Sequence, residues 1–357
     1  MMTDLENFRA TVEHRQPGRV LYHAGFTPDL KRRVIEHIGT EDIAGHYGMV
    51  SLDGVSLKRP ADAPVLDFSS YWDSEDLPEG TEIDGRGVAK VPSGYYHFWG
   101  YVSPLRRATD IREIEQYPLQ DVRDWPVGDL PSQVAGRHAE GKIAGAWIGH
   151  MYEDAWQIRG YEQFLLDMMT RPEWAHRLLD RLAEQNRARA VAYARAGCDL
   201  LRCGDDVANQ QSLMFSPDMW REFMLSRWGA IWAEIKQINP HCRIWYHSDG
   251  NILPIAGELL DAGVDILNPL QPEALDVDEL HRRFGPRVTF DGLIGTQSTM
   301  PWGSPEDVRA RVREVIDRFG RGGGLMISPT HVLEPEVPLE NIDAMLQTCR
   351  EYGTFET

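Results

Sequence analysis

Short apolar runs alternate with longer amphipathic stretches along much of the chain, and polar residues gather where the short runs stop. Gly145–Gly149 reads as a buried strand, after which Phe164, Leu165 and Met168 recur at helical spacing within residues 161–169. Pro172 opens the next helix, with Trp174, Leu178, Leu179 and Leu182 on one face. Residues 199–203 form the next apolar run and end at Gly204-Asp205-Asp206. Ser216-Pro217-Asp218 then supplies an N-cap and a first-turn proline for an aromatic-rich helix running past Trp228 and Trp232. Arg243–His247 is a strand ending at Ser248-Asp249-Gly250, and a helix over residues 252–262 follows, closed by Gly263. Three more strands are expected: 264–267 ending at Asn268-Pro269, 288–290 ending at Asp291-Gly292, and 325–327 ending at Ser328-Pro329.

Strands that alternate with helices and lack hairpin signals predict right-handed βαβ units and a parallel sheet. With a strand near Val20-Leu21-Tyr22 and one near the middle, about eight units can be placed, which favours an α/β fold of the (β/α)8 TIM-barrel type. Residues 53–101 break the rhythm with Glu79-Gly80 and Ser93-Gly94 turns and the run Tyr95-Tyr96-His97-Phe98-Trp99. They read as a β-hairpin insertion on a single domain spanning 1–357 with an N-terminal extension. Residues 121–131, rich in Pro, Trp and Asp, read as a loop. Gly322-Gly323-Gly324 reads as a loop before a strand, and no P-loop or GxGxxG is present.

Charge and cysteine content narrow the function. Thirty-seven basic residues stand against 55 acidic ones, a net charge of −18, which repels nucleic-acid phosphates and anionic lipid. No apolar run is long enough to span a membrane, and the start of the chain lacks the basic and apolar segments of a secretory signal. The four cysteines form no CxxC, as expected of a reducing, cytoplasmic setting.

The ends of the apolar runs carry residues that a hydrophobic strand does not need: Glu153-Asp154, Asp205-Asp206, His247 and Asp249, Asn268 and Gln271, Asp291 and Gln297, then His331. In a parallel barrel these ends converge on one rim. A lone Asp or Asn there is ordinarily a cap or turn former; Asp291-Gly292 reads as a turn, Ser328 as a cap, and Asp154 as facing solvent. The adjacent carboxylates Asp205-Asp206 are harder to dismiss, because they repel unless a cation or proton is shared. His247-Ser248-Asp249-Gly250 places a base and an acid together. His247, Asp249 and His331 are chemically suited to zinc, although no local HxxxH or paired-cysteine spacing marks a metal site. The other reading uses the same groups as acids, bases and hydrogen-bond partners. His14, His37, His46, His138, His176, His241 and His281 fall in helical or surface-like segments and are assigned no role.

In this order, several phrases make the chain resemble the uroporphyrinogen decarboxylase superfamily, in particular its cobalamin-linked methyltransferases. They are His14-Arg15-Gln16-Pro17-Gly18-Arg19-Val20, residues 153–160, Cys198-Asp199 leading to Gly204-Asp205-Asp206, Ser216-Pro217 with Trp220, Tyr246–Gly250, Gly263–Gln271, and Gly322–Gly324 running to Pro338–Ile342. The resemblance covers nearly the whole length and implies a (β/α)8 barrel with a deep rim cleft and a homodimer. Thiol-activating members resemble His-x-Cys-Gly with a late cysteine, the three binding zinc. Here Asp249 stands at the first cysteine position, and His331 lies near the second. Such a His/Asp/His set is harder and less thiophilic. The decarboxylases resemble Arg-Gln-Ala-Gly-Arg-Tyr near the start, whereas this chain reads Leu21-Tyr22-His23-Ala24-Gly25-Phe26 without a second arginine cluster. Uroporphyrinogen, a polycarboxylate, suits neither that stretch nor an acidic rim.

The leading expectation is therefore a methyltransferase or demethylase of a small methoxylated or methylated compound, exchanging methyl with a corrinoid carried by a partner protein. His247, Asp205, Asp206 and Glu153 are the expected catalytic residues. Tyr22, Phe26, Trp147, Tyr152, Asn268 and Gln271 are expected to bind substrate, and His247, Asp249 and His331 to hold zinc or another divalent metal. The alternative is cofactor-independent decarboxylation or another lyase reaction on a small acid; a catalytically silent binding protein is the third reading.

Overall fold

The computed structural model describes residues 2–72, 77–93 and 99–355. In chain order, β1 (Leu21–Tyr22) precedes an antiparallel meander of β2 (Glu82–Ile83), β3 (Ala89–Pro92) and β4 (Trp99–Val102). Then come β5 (Gly145–Gly149), β6 (Leu200–Gly204), β7 (Arg243–His247), β8 (Ile266–Leu270), β9 (Thr289–Ile294) and β10 (Leu325–Pro329). Outside the meander the strands form one parallel, seven-stranded sheet, in the order β1-β10-β9-β8-β7-β6-β5.

The two edge strands are joined by residues 50–55, an extended segment with no regular strand. Val50 N–H donates to the Tyr22 carbonyl at 2.9 Å, and Val55 N–H donates to that of Gly145 at 3.0 Å. This eighth stave closes the ring. Gly145 permits the approach, since a Cβ there would stand 1.8 Å from the Leu52 carbonyl oxygen.

Strand alternation divides the core in two. Leu21, Leu200, Trp245, Ile266 and Met326 pack with Val50 and Leu52 inside the barrel, and Phe8 and Val12 of helix Asp4–Val12 join them. The intervening residues, such as Leu201, Ile244, Leu267 and Ile327, pack outward into the larger cluster shared with the helices. Trp174, Leu178, Leu179 and Leu182 of helix Pro172–Ala196 are all buried, as their spacing predicts. Ser216 caps its helix by accepting from Met219 N–H, with Pro217 at the first position.

Several boundaries differ from the sequence reading. The strands expected to end at Asn268, Asp291 and Ser328 continue through them, because these side chains fall at inward positions of a barrel whose upper interior is polar. The strand before Asn268 begins at Ile266 rather than Val264. The helix expected from Ile252 is confined to Ala256–Asp261, preceded by a turn in which Ile255 N–H bonds back to the Ile252 carbonyl. The loop through residue 131 ends two residues earlier, since helix Leu130–Ala139 takes Pro131 into its first turn. The run Tyr95–Phe98 and Gly94 lie outside the described residues. Among the described residues no helix is long and apolar enough to cross a membrane.

Candidate active site

The residues at the barrel mouth are set by where each strand stops and which way its last side chains face. Asp205 and Asp206 follow β6 directly and have opposite environments. Asp205 is completely buried. Its Oδ1 accepts from the N–H of Met151 at 2.8 Å and of Glu153 at 3.2 Å, and its Oδ2 accepts from Trp228 Nε1 at 2.8 Å. It thus ties the turn after β5 to the helix Ser226–Ile238. Burial pushes its carboxyl up to about 7 against the pull of His150 and these donors. Both oxygens are committed to holding the scaffold, so Asp205 is a fixed positioning group.

Glu153 links that anchor to the open side. Its Oε1 accepts from Asp206 N–H at 3.1 Å and lies 3.0 Å from His150 Nδ1. The same Nδ1 lies 2.8 Å from the Gly204 carbonyl, which can only accept, so Nδ1 carries a proton. Burial disfavours the charged imidazole, but Glu153, then Asp205 and Asp154, outweigh it and raise His150 to about 9. Burial likewise raises Glu153, and His150 with Asp206 N–H more than offsets it, leaving this carboxyl below its ordinary value. Although His150, Glu153 and Asp205 bring ligand-type atoms close together, their hydrogen bonds are already spent within the protein.

A second group differs in that respect. His247 ends β7, and its Nδ1 stands 2.8 Å from Asn268 Oδ1 on β8. With the amide oxygen accepting from Nδ1–H, the neutral ring carries its lone pair on Nε2, as an imidazole that binds metal does. That Nε2 is 3.6 Å from Asp206 Oδ1 and 4.0 Å from Asp249 Oδ1. Asp206 Oδ1 also accepts from Asp249 N–H at 2.8 Å. Asp249 Oδ1 is buried and has no hydrogen-bond partner. Burial and the Asp206 charge push the Asp249 carboxyl up to about 6, while His247 and His331 pull it down.

Asp206, His247 and Asp249 therefore offer three donor atoms around one spot, one of them an orphaned carboxylate oxygen. An ion bonded at about 2.0–2.1 Å in tetrahedral geometry keeps its ligands about 3.4 Å apart, close to the His247 separations. Imidazole with two carboxylates is a hard set suited to zinc or a similar divalent ion, and three protein ligands leave a position open. Of the expected set His247, Asp249 and His331, the structure brings the first two together. His331 is exposed after β10 and lies outside this close group; Asp206 supplies the third donor instead. The four cysteines are buried and free, and burial pushes their thiols up, Cys198 to about 12.

The expected substrate-binding residues separate into distinct groups. Asn268 orients His247, and Gln271 accepts from Gly250 N–H at 2.7 Å and donates to the Thr330 carbonyl at 3.4 Å, joining two rim loops. Trp147 faces the interior, its ring centroid 4.9 Å from that of His150, with the Arg202 guanidinium 5.7 Å from its face. Tyr22 and Tyr152 do not line the mouth. Both are fully buried in the outer core, Tyr22 donating to the Tyr47 carbonyl at 2.7 Å and Tyr152 packing on Phe164 and Phe215. Phe26 is half-buried against the same core.

Three bland readings are also overturned. Asp154 does not face solvent: it pairs with Arg86 of the meander, which also holds Asp84 and Gln157. Asp291 is not turn chemistry, nor Ser328 a cap. Both are buried inside the barrel, where Ser328 Oγ donates to Asp291 Oδ1 at 2.9 Å. His138 has a partner, Asp199 Oδ2 at 2.7 Å, beside a cavity of about 740 Å³ lined by Arg9, Asp199 and Arg243. Asp199 there is saturated by Arg9, His138 and Ala144 N–H, which leaves the mouth as the chemically open end.

Comparison with known proteins supplies the remaining findings. The family profile described as uroporphyrinogen decarboxylase (URO-D) matches residues 151–352. A methylcobamide:CoM methyltransferase MtaA from Methanosarcina barkeri is 27% identical over 174 residues, 49% of this chain and 48% of that one. A uroporphyrinogen decarboxylase from Pseudomonas fluorescens is 26% identical over 190 residues, 50% of this chain and 49% of that one. The chain thus spans about half the length of the curated relatives it matches. A solved structure of a methyltransferase from Methanosarcina mazei superposes with a TM-score of 0.67 at 17% identity, covering 99% of each chain, and bears out the fold.

Proposed function

The chain belongs to the uroporphyrinogen decarboxylase family, and from that premise we propose that it is a corrinoid-linked methyltransferase or demethylase acting on a small methoxylated or methylated compound. The observation that carries this reading is the group Asp206, His247 and Asp249, with its orphaned carboxylate oxygen and a bare imidazole nitrogen fixed by Asn268. Removal of a methyl from oxygen or nitrogen requires the leaving atom to be protonated or polarised while a strong nucleophile attacks carbon. A divalent ion held by these three residues, zinc by its ligand chemistry, would supply that polarisation through its open position. Glu153 holds Asp206 in register through its backbone, and Asp205 and Gln271 hold the loops. The methyl acceptor would be a corrinoid delivered by a partner protein, as the name of the Methanosarcina barkeri relative suggests. The test mixes the purified, zinc-loaded protein with methoxylated aromatic compounds and a reduced corrinoid. Growth of the methylated-corrinoid absorbance is expected; its absence with every methoxylated and methylated-amine substrate contradicts the reading.

A second reading has its own support. Burial holds Asp249 up to about 6 beside His247, so the pair can act as acid and base without any metal. Decarboxylation of a small acid would use it in that way, and relatives named uroporphyrinogen decarboxylase share the family. Carbon dioxide release that chelators do not inhibit would favour this reading over methyl transfer.

A further inference from the structure

A second imidazole–carboxylate pair stands in the same mouth, apart from the His247 group. His23 follows β1, and its Nε2 lies 3.0 and 3.1 Å from the two oxygens of Asp291 on β9. Asp291 is completely buried, and Trp245 Nε1 and Ser328 Oγ donate to it at 2.8 and 2.9 Å. Burial alone would raise this carboxyl, yet His23, Trp245 and Ser328 hold it below its ordinary range, so it stays ionised inside the barrel. An ionised carboxylate fixed by these donors demands N–H from His23 Nε2, which leaves Nδ1 as the free nitrogen of a ring still 23% exposed. The Trp245 indole separates the two imidazoles: it donates to Asp291 on one side, and on the other its ring stacks on His247 at 5.7 Å with planes 16° apart.

We propose that His23, oriented by Asp291, is a second acid–base group of this pocket, presenting Nδ1 to the substrate while the His247 group binds it from the other side of Trp245. A carboxylate that fixes one imidazole nitrogen so that the other can exchange a proton is the arrangement general acid–base catalysis requires. The role rests on the methyl-transfer reading. There the Nδ1 proton moves to the leaving oxygen as its bond to the methyl carbon breaks, with the electron pair staying on oxygen. The reduced corrinoid of the partner provides the pair for the new bond to methyl. His23 is left neutral, keeping its Nε2 proton in the hydrogen bond to ionised Asp291, and its Nδ1 is reprotonated from solvent. Asp291 is a positioning residue, because it acts only through His23.

The test has two arms. In the first, nitrogen NMR of the full chain with isotope-labelled histidine reads the His23 tautomer, and limited diethyl pyrocarbonate treatment with mass spectrometry reads its accessibility. Neutral His23 is expected to carry its proton on Nε2 and to become modified on the timescale of exposed His241. An Nδ1 proton, or a His23 that stays unmodified while His241 reacts, overturns the proposal. In the second arm His23→Gln, whose amide can still donate to Asp291, is expected to keep its Tm but to lose about 100-fold or more in kcat with KM changed less than about threefold. Imidazole added to His23→Ala should restore part of the turnover. Wild-type kcat in His23→Gln overturns the proposal. If the wild-type protein moves no methyl group at all, the methyl-transfer reading fails, and the first arm still decides the state of His23.

Discussion

The two clusters at the mouth use the same residue types to opposite ends. Around Asp205, each carboxylate oxygen accepts from a backbone or indole N–H, and His150 is locked by a carbonyl and Glu153. Around Asp206, the next residue in sequence, one carboxylate oxygen of Asp249 has no donor and His247 keeps a free lone pair. A cluster whose facing atoms already bond to one another resists deformation and offers those atoms little to a ligand. An unsaturated one is costly to bury, and its cost is offset only when something binds. The contrast separates a group that builds the site from one that uses it, a distinction that the residue types alone do not make.

The largest expected effect breaks the building side. Asp205→Ala leaves Met151 N–H, Glu153 N–H and Trp228 Nε1 without an acceptor, and should cost about 3 kcal/mol or more of unfolding free energy in denaturant titrations. Asp206→Ala gives up an exposed-side contact to Asp249 N–H and should cost only about 1 kcal/mol. Equal losses from the two would erase the distinction. On the using side, Asp249→Ala should leave the Tm of the metal-free protein nearly unchanged while lowering zinc affinity by about 100-fold or more in competition with a chromophoric chelator. Asn268→Ala, which frees the His247 ring to turn, should lower that affinity by about 10- to 100-fold.

A pH dependence sharpens the same contrast. Folding raises His150 to about 9, so its contribution to stability is fully present below about 6.5 and is lost as pH rises through 9. The stability gap between the wild-type protein and His150→Ala should therefore narrow between pH 7 and pH 10 in unfolding experiments. A constant gap would show that the charged form of His150 is not what holds Glu153.

The sequence made the scaffold legible wherever an apolar run has a sharp end. Gly145–Gly149 and Arg243–His247 emerge with the expected bounds, and the Ser216 cap and the buried face of Pro172–Ala196 are as read. The polar ends misled in β8, β9 and β10, where Asn268, Asp291 and Ser328 were read as terminators. A barrel interior tolerates polar side chains when they bond to one another, so polarity there marks facing and not termination. His150 and Arg86 were missed for a related reason. Each has a partner more than 50 residues away, Gly204 for His150 and Asp154 for Arg86, that no local spacing reports, although Glu153 lies only three residues from His150. His247 and Asp249 were legible because a base and an acid two apart at a strand end are unusual. Asp206 replaces His331 in the close group because the turn after β6 folds back onto β7, and a linear reading has no access to that closure. Tyr22 illustrates the alternation rule in reverse: an aromatic at a strand end belongs to the outer core when its neighbours point inward, whereas Tyr152 opens helix Tyr152–Arg159 and is buried in the same core.

The account turns on whether the rim group holds a metal. The direct measurement is zinc content and affinity of the full chain, by elemental analysis and chelator competition, beside the His247→Ala variant. One ion per chain, lost in the variant while the Tm of the metal-free protein stays at the wild-type value, is predicted. Wild-type protein that takes up no divalent ion, or a variant that binds as tightly as the wild type, would contradict it.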